Sequence, residues 1–309
     1  MLDVADVISN GQGLPTCTDS LAIFDPSHEL GADFPLLLAL ANDESSVAAI
    51  QMTEALARTR GAVPTVVRAL GNVRAAEASA SPIAGRVAEE SLDADHVNAC
   101  RAMVAEQLAS VATEVEWPLA VTNETPIDAI VGLAKAHRAG MIVMGLRRHG
   151  VLRRSLTREL LSEVLRRTRV PVLAVRPELQ RLPRRIVVAV DFGGASIRAV
   201  RVARRLLADG GSLCVVHVTP HQSDSVREKL DRILDDLGAA PGMTMSSVIL
   251  HGDVQSSIEG CAQAMDADLL AVGSETHSLL DAMTRSRMPM KLAHSARWSM
   301  LIVPAHGNG

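Results

Sequence analysis

Short runs of consecutive aliphatic residues alternate along this chain with longer stretches whose apolar positions recur every three or four residues. The second half shows the pattern most plainly. Arg185-Ile-Val-Val-Ala-Val-Asp191 is a β-branched run closing on an acid, as expected of a parallel strand buried on both faces. Behind it, Ile197, Val200, Ala203 and Leu207 fall on one helical face, and Gly210 and Gly211 stop the helix. Residues 212–218 read as a second strand, 224–237 as a polar helix and 243–250 as a third strand. Residues 254–265 read as a helix with Ile258, Cys261 and Met265 inward, and 268–273 and 300–303 as the last two strands. The first half repeats the order, with strands at 35–41, 62–70, 117–121, 141–145 and 171–175 and helices at 45–59, 97–115, 126–137 and 158–168. Alternation of this spacing predicts βαβ units and parallel sheets covered by helices on both faces.

A fixed offset marks the repeat. Gly145 and Gly273 are 128 residues apart, and so are Leu173 and Leu301. Ala41 and Asp191 are 150 apart, so the first half carries about 22 extra residues. These fall in the polar Ala/Glu/Ser-rich stretch 71–95, read as a loop or surface helix. The proline-flanked linker PELQRLPRR separates the halves. The expected organisation is an extension at 1–32 that matches neither half, a first module at 33–178 and a second at 183–305.

Composition removes several classes of function. Aromatic residues are few (Phe24, Phe34, Phe192, Trp117, Trp298 and no Tyr), which argues against a stacking platform for single-stranded nucleic acid. A formal charge of −4 gives no global basic field for DNA or anionic lipid, so neither nucleic acid nor membrane is an expected partner. The longest apolar run, residues 34–41, is far shorter than the ~20 residues of a membrane helix. The start, MLDVADVISNGQG, lacks the basic and apolar regions of a secretory signal. Cys17, Cys100, Cys214 and Cys261 show no CxxC or metal spacing and read as reduced thiols, three of them buried, in a cytoplasmic protein.

IVVAVDFGGASIRAVRVARRLLADGGSLCVVHVTP and HGDVQSSIEGCAQAMDADLLAVGS in the second half resemble the universal stress protein family, as does AHRAGMIVMGLRRHGVLRRSLTRELLSEVLRRTRVPVLAVRP in the first. The likeness covers about residues 33 to 305 and implies a tandem, bacterial-style member. It implies two flavodoxin-like α/β modules, each a five-stranded parallel sheet of order 3-2-1-4-5, with the ligand crevice at the carboxyl ends of strands 1 and 4. Some members bind ATP there, through an Asp ending strand 1 and Gly-x2-Gly-x9-Gly-Ser/Thr after strand 4. Glycines let the backbone approach phosphates, and a helix N-terminus offers free N–H groups.

The resemblance maps this set onto Asp191, Val218, Gly273, Thr276, Ser286 and Arg287 in the second half. In the first half it falls on Ala41, Gly145, Arg148, Arg158 and Glu159. Both copies keep the spacing and lose most glycines, and Glu159 would put a negative charge where a phosphate sits. Ser286 is small, Arg287 could meet a phosphate and Thr276 could supply a hydroxyl. An adenine nucleotide (ATP, ADP or AMP) is therefore expected in the second module, if anywhere.

Each residue also has a plainer reading. Asp191 either anchors a ribose or caps the helix that follows. His217, His251 and Asp253, near strand ends, either form a metal or acid–base cluster or are hydrogen-bonded within the fold, with Gly252 making a turn and Asp253 capping a helix. Arg147, Arg148, Arg153, Arg154, Arg158, Arg166, Arg167 and Arg169 either receive an anion, RNA or an acidic partner or form a solvated face interleaved with Glu159 and Glu163. No Walker, Rossmann or nucleophile-elbow motif is present, and the acid cluster of a receiver domain is missing. The expected function is a stress-associated binding or signalling module without a catalytic site of its own. The alternatives are a slow ATP hydrolase and a structural interaction protein that binds no nucleotide. The resemblance also implies that the final strands, 171–175 and 300–303, pair antiparallel within one chain, with pairing of whole chains a further option.

Overall fold

The aliphatic runs form strands and the helically patterned stretches form helices in the computed structural model, which describes residues 34–41, 45–60, 64–69, 94–111, 117–146, 154–220, 224–238, 242–274 and 298–305. The first half contains β1 (Leu36–Ala39), α1 (Ser45–Arg60), β2 (Thr65–Ala69), α2 (Ala94–Ala109), β3 (Leu119–Thr122), α3 (Pro126–Ala136), β4 (Met141–Gly145), α4 (Arg154–Arg167) and β5 (Val172–Val175). The second contains β6 (Arg185–Ala189), α5 (Gly194–Leu206), β7 (Ser212–Val218), α6 (Asp224–Leu237), β8 (Thr244–Leu250), α7 (Val254–Ala264), β9 (Leu269–Ser274) and β10 (Ser299–Pro304). The expected extension at 1–32 and the extra stretch at 71–93 lie outside the described residues.

Several boundaries differ from the sequence reading, among them both ends of α2, which starts at Ala94 rather than Val97, and the start of α4. Helix α2 stops at Ala109 rather than near 115. The Ser110 hydroxyl donates to the Gln107 carbonyl at 2.6 Å, and a hydroxyl that bonds the preceding turn favours helix ends over interiors. Helix α4 begins at Arg154 rather than Arg158, because neither Gly nor Pro interrupts residues 154–157. The thiols differ as well: Cys100 and Cys214 are buried, Cys261 is half-buried, and Cys17 is not among the described residues.

All ten strands form one sheet in the order β3-β2-β1-β4-β5-β10-β9-β6-β7-β8. Each half has the order 3-2-1-4-5 with parallel neighbours, and the halves meet where β5 and β10 run antiparallel. The register at this seam follows from the repeat. Leu173 faces its own repeat counterpart Leu301, while Val172 faces Ile302 and Ala174 faces Met300, the exchange that a pseudo-twofold axis through the Leu173–Leu301 pair produces. Each module thereby covers the other's apolar edge strand, which would otherwise be an aggregation template.

Strand alternation sends residues to two layers. Leu38, Val143, Leu173, Leu301, Ala271 and Val188 belong to one apolar layer that runs through both modules under α1, α2, α5 and α6. The opposite face is split. One cluster packs under α3 and α4 and takes in Met300 and Ile302 from the second module, and another packs under α7. Full burial of each such side chain contributes about 1.5–3 kcal/mol, so the shared layer couples the two halves energetically.

A polar tie fastens α3 to α4. Thr125 caps α3, accepting from the Asp128 main-chain N–H at 3.2 Å and donating to Asp128 Oδ2 at 2.6 Å. Arg167 Nη2 donates to Asp128 Oδ1 at 2.6 Å. The hydrogen bond from Thr125, then that from Arg167, holds the Asp128 carboxyl below the usual carboxylate range. A depressed folded-state pKa means stability that is present above the unfolded value and lost as pH falls through the folded one. Asp128→Asn is therefore expected to lower the melting temperature slightly at neutral pH and to shrink its fall below pH ~4, as read from melting curves at stepped pH. An effect as large at pH 3 as at pH 7 would contradict this assignment.

Candidate functional site

Ligand crevices in open parallel sheets lie beyond the carboxyl ends of the strands. In the second module β6 and β9 are neighbours, with Ala189 registered on Val272. Asp191 and Gly273 thus emerge side by side. Asp191 is exposed, and its Oδ1 accepts from the Gly193 N–H at 2.9 Å and the Ser196 hydroxyl at 2.6 Å. Its own N–H donates to Ser196 Oγ at 3.3 Å, so the acid shapes the turn into α5. In the first module Ala41 stands in its place: the Ala41 N–H donates to Ser46 Oγ at 3.2 Å, and that hydroxyl donates to the Ala41 carbonyl at 2.7 Å. Both bonds to the Asp191 carboxylate use Oδ1, and its Oδ2 carries no hydrogen bond among the described residues.

Gly273 is set by close approach. A Cβ there would sit 2.2 Å from the Ser196 nitrogen and 2.5 Å from the Ala195 carbonyl carbon, so the first turn of α5 rests on bare backbone. The next residue, Ser274, is 2 % exposed, and its hydroxyl has no hydrogen-bond partner among the described residues. A buried hydroxyl left without a partner costs about 1–3 kcal/mol and calls for an explanation. Val218 ends β7 half-buried, packed toward the α7 layer. Thr276, Ser286 and Arg287 lie outside the described residues.

The histidines are engaged within the fold. His217 Nδ1 lies 2.8 Å from the Val190 carbonyl, and its ring centroid is 4.5 Å from that of Phe192. Phe192 has φ of 65°, a conformation uncommon for a bulky side chain, and Lys229 Nζ lies 5.3 Å from its ring centroid. Arg68 occupies the matching place on β2, its Nη1 donating to the Leu40 carbonyl at 3.1 Å. His251 Nδ1 lies 2.8 Å from the Thr219 carbonyl, and Asp253 caps α7 by accepting from the Ser256 N–H at 3.0 Å. Among the described residues no group of three or more His, Cys, Asp or Glu could hold a metal ion. The hydrogen-bonded reading of these residues is the one the geometry supports.

The first module's crevice contains a cavity of about 180 Å³ lined by Ala39, Ala41, Val67, Ile130, Met144 and Leu160 among others. Arg68 also lines it, and Ala41 stands where the second module has Asp191. A wider hollow of about 800 Å³ lies at the amino ends of β6 and β7, between the linker residues Arg181 and Arg184 and Asp268. Asp268 Oδ2 there accepts from the main-chain N–H groups of Arg184 and Arg185 at 2.8 and 2.9 Å. Of the arginine block, Arg166 pairs with Glu163 and Arg167 with Asp128, as a solvated face would. Arg147, Arg148 and Arg153 lie outside the described residues. The sequence reading missed Ser196 and Ser274. A serine five residues after each strand-1 end, Ser46 and Ser196, was the available signal for the first.

No helix among the described residues is long and apolar enough to cross a membrane. No curated protein matches the chain. Among solved structures it is similar to a universal stress protein from Archaeoglobus fulgidus DSM 4304, with TM-score 0.65 and 18% identity, covering 89% of this chain and 97% of that one. It is also similar to a putative universal stress protein from Pseudomonas aeruginosa UCBPP-PA14, with TM-score 0.53 and 14% identity over 88% and 94% of the two chains. At such identities the likeness speaks for the fold. The model of the universal stress protein family matches twice, at residues 35–176 and 183–304, one match for each half of the ten-stranded sheet, and on that evidence the chain belongs to the universal stress protein family.

Proposed function

We propose that the chain is a stress-associated binding module that takes one adenine nucleotide, in its second half, and does no chemistry on it. The observation that carries this reading is the free oxygen of Asp191 beside Gly273, at the carboxyl ends of two adjacent strands, where the first module has Ala41. The buried hydroxyl of Ser274 supports it, since a bound polar group would give that hydroxyl its missing partner. Asp191 would accept from ribose hydroxyls, the main chain at Val218 would face the base, and Gly273 would open the path toward the phosphates. Thr276, Ser286 and Arg287 are assigned to the phosphate side by spacing alone. The first module is a relic of the same site, with Ala41 in place of the acid.

Native mass spectrometry of the full chain with ATP, ADP and AMP tests this. The expected result is one nucleotide per chain, with affinity at least about tenfold weaker for Asp191→Ala, the loss of one charge-assisted hydrogen bond. Two nucleotides per chain, or binding indifferent to Asp191→Ala, would overturn the assignment. Release of ADP from ATP in the presence of Mg²⁺ or Mn²⁺ would favour the hydrolase instead.

A further inference from the structure

Cys214 on β7 and Cys261 on α7 are far apart in the chain, yet their thiols are hydrogen-bonded to each other. Ser246 on β8 is the registered neighbour of Cys214 and hydrogen-bonds to its sulfur. The three side chains join α7, β7 and β8 in the layer where α7 covers the sheet. Cys214 is 1 % exposed, whereas Cys261 is half-buried and reachable from solvent. The fold does not require this arrangement. At the equivalent positions the first module has Thr65, Pro118 and Leu133, which build the same strand–helix packing with no thiol.

The pair titrates as a unit. The first proton leaves Cys214 more readily than an ordinary thiol, because the Cys261 S–H donates to its sulfur; burial opposes this and the Ser246 hydrogen bond assists. The remaining proton is held strongly at Cys261, by that same hydrogen bond, by burial and by the neighbouring thiolate. In the singly ionised pair the proton can cross the S–H···S bond, so the charge is available to the outer sulfur.

We propose that Cys214 and Cys261 are a modification site, a dithiol that two-electron oxidants such as hydrogen peroxide convert reversibly into a disulfide stapling α7 to β7. The outer Cys261 thiolate attacks one peroxide oxygen. The O–O bond breaks, and the leaving hydroxide takes up a proton to become water, leaving a sulfenic acid. Cys214 then attacks the Cys261 sulfur, the S–S bond forms, the S–O bond breaks, and a second water departs. Each sulfur loses one electron, the peroxide gains two, and both thiol protons end in water. Thiol reductants reverse the step by exchange.

The test uses the full chain. Protein is exposed to hydrogen peroxide, denatured, alkylated with N-ethylmaleimide, digested and mapped by mass spectrometry. The expected result is a cross-linked pair of peptides holding Cys214 and Cys261, about 2 Da lighter than the two thiol peptides together and released by dithiothreitol. Cys100 should remain alkylated, and the oxidised chain should melt several degrees higher than the reduced one. Cys261→Ser should abolish the cross-link and the gain in melting temperature, but the mapping on the unmodified chain does not depend on that variant folding. Both cysteines still fully alkylated, both oxidised separately to sulfinic acids, or a disulfide to Cys17 or Cys100 instead would each overturn the proposal.

Discussion

Gly273→Ala is expected to destabilise the second module by about 3 kcal/mol, at the upper end of what one added methyl costs in a filled core. Its Cβ would meet backbone, 2.2 Å from the Ser196 nitrogen, and a helix turn cannot rotate aside as a side chain can. Helix α5 would have to lift from β9, and α5 carries Ala199, Val200 and Ala203 into the layer that runs through both modules. The observable is the midpoint of chemical denaturation, with an unchanged slope if the native state stays compact. Gly132→Ala and Gly260→Ala are the controls. Both positions are inside helices with nothing within 4 Å of the added Cβ, so each should gain about 0.5–1 kcal/mol. If Gly273→Ala proved as harmless as these, the close approach of α5 to β9 would be wrong. The prediction also limits what Gly273 can reveal about binding. Its replacement disturbs fold and crevice together, which is why Asp191, exposed and with Oδ2 free of hydrogen bonds among the described residues, is the better probe of the nucleotide.

How much of this was legible in the sequence depended on whether the signal was local. Strands β4, β7 and β9 stood out because parallel strands covered on both faces need unbroken aliphatic runs, and Met141–Gly145, Ser212–Val218 and Leu269–Ser274 have them. The offset shared by Gly145 with Gly273 and Leu173 with Leu301 is the offset of the paired registers. Capping chemistry was readable at Asp253, which caps α7, and the structure adds Thr125, which caps α3 from the equivalent place. The sulfur pair was not readable, since no spacing rule links a strand to a helix three elements later, and their contact exists only once α7 lies across the sheet. The role of His217 was hidden for a related reason. Its counterpart is Arg68, and no composition-based comparison would align an imidazole with a guanidinium. Both reach the carbonyl at the end of the neighbouring first strand, at Val190 and Leu40, a shared geometric task that residue type conceals. The orphan hydroxyl of Ser274 likewise shows only when the space around it is known.

The second large effect is expected at the seam. Leu173 and Leu301 face each other across the pseudo-twofold axis, 1 % and 0 % exposed, inside the apolar layer they share. Leu173→Asp or Leu301→Asp would bury a carboxylate with no partner, and the group would protonate or the strands would part, at a cost of about 3–5 kcal/mol. Truncation to Ala at either site should cost about 2–5 kcal/mol through the cavity it leaves. Because the two side chains touch, the double Leu→Ala variant should cost less than the sum of the single ones, by roughly 0.5–3 kcal/mol. Strict symmetry would make the two single substitutions equal, and their difference measures how unequally the modules lean on the seam. The second module gives Met300 and Ile302 to the cluster under α3 and α4. Loosening β10 therefore strips apolar cover from the first module's far face, and Leu301→Asp should be the more damaging for the first half. Denaturation followed by Trp117 fluorescence in a Trp298→Phe background would isolate that half. An undisturbed first-half transition in Leu301→Asp would mean that the modules fold without each other and that the ten-stranded sheet is two sheets side by side.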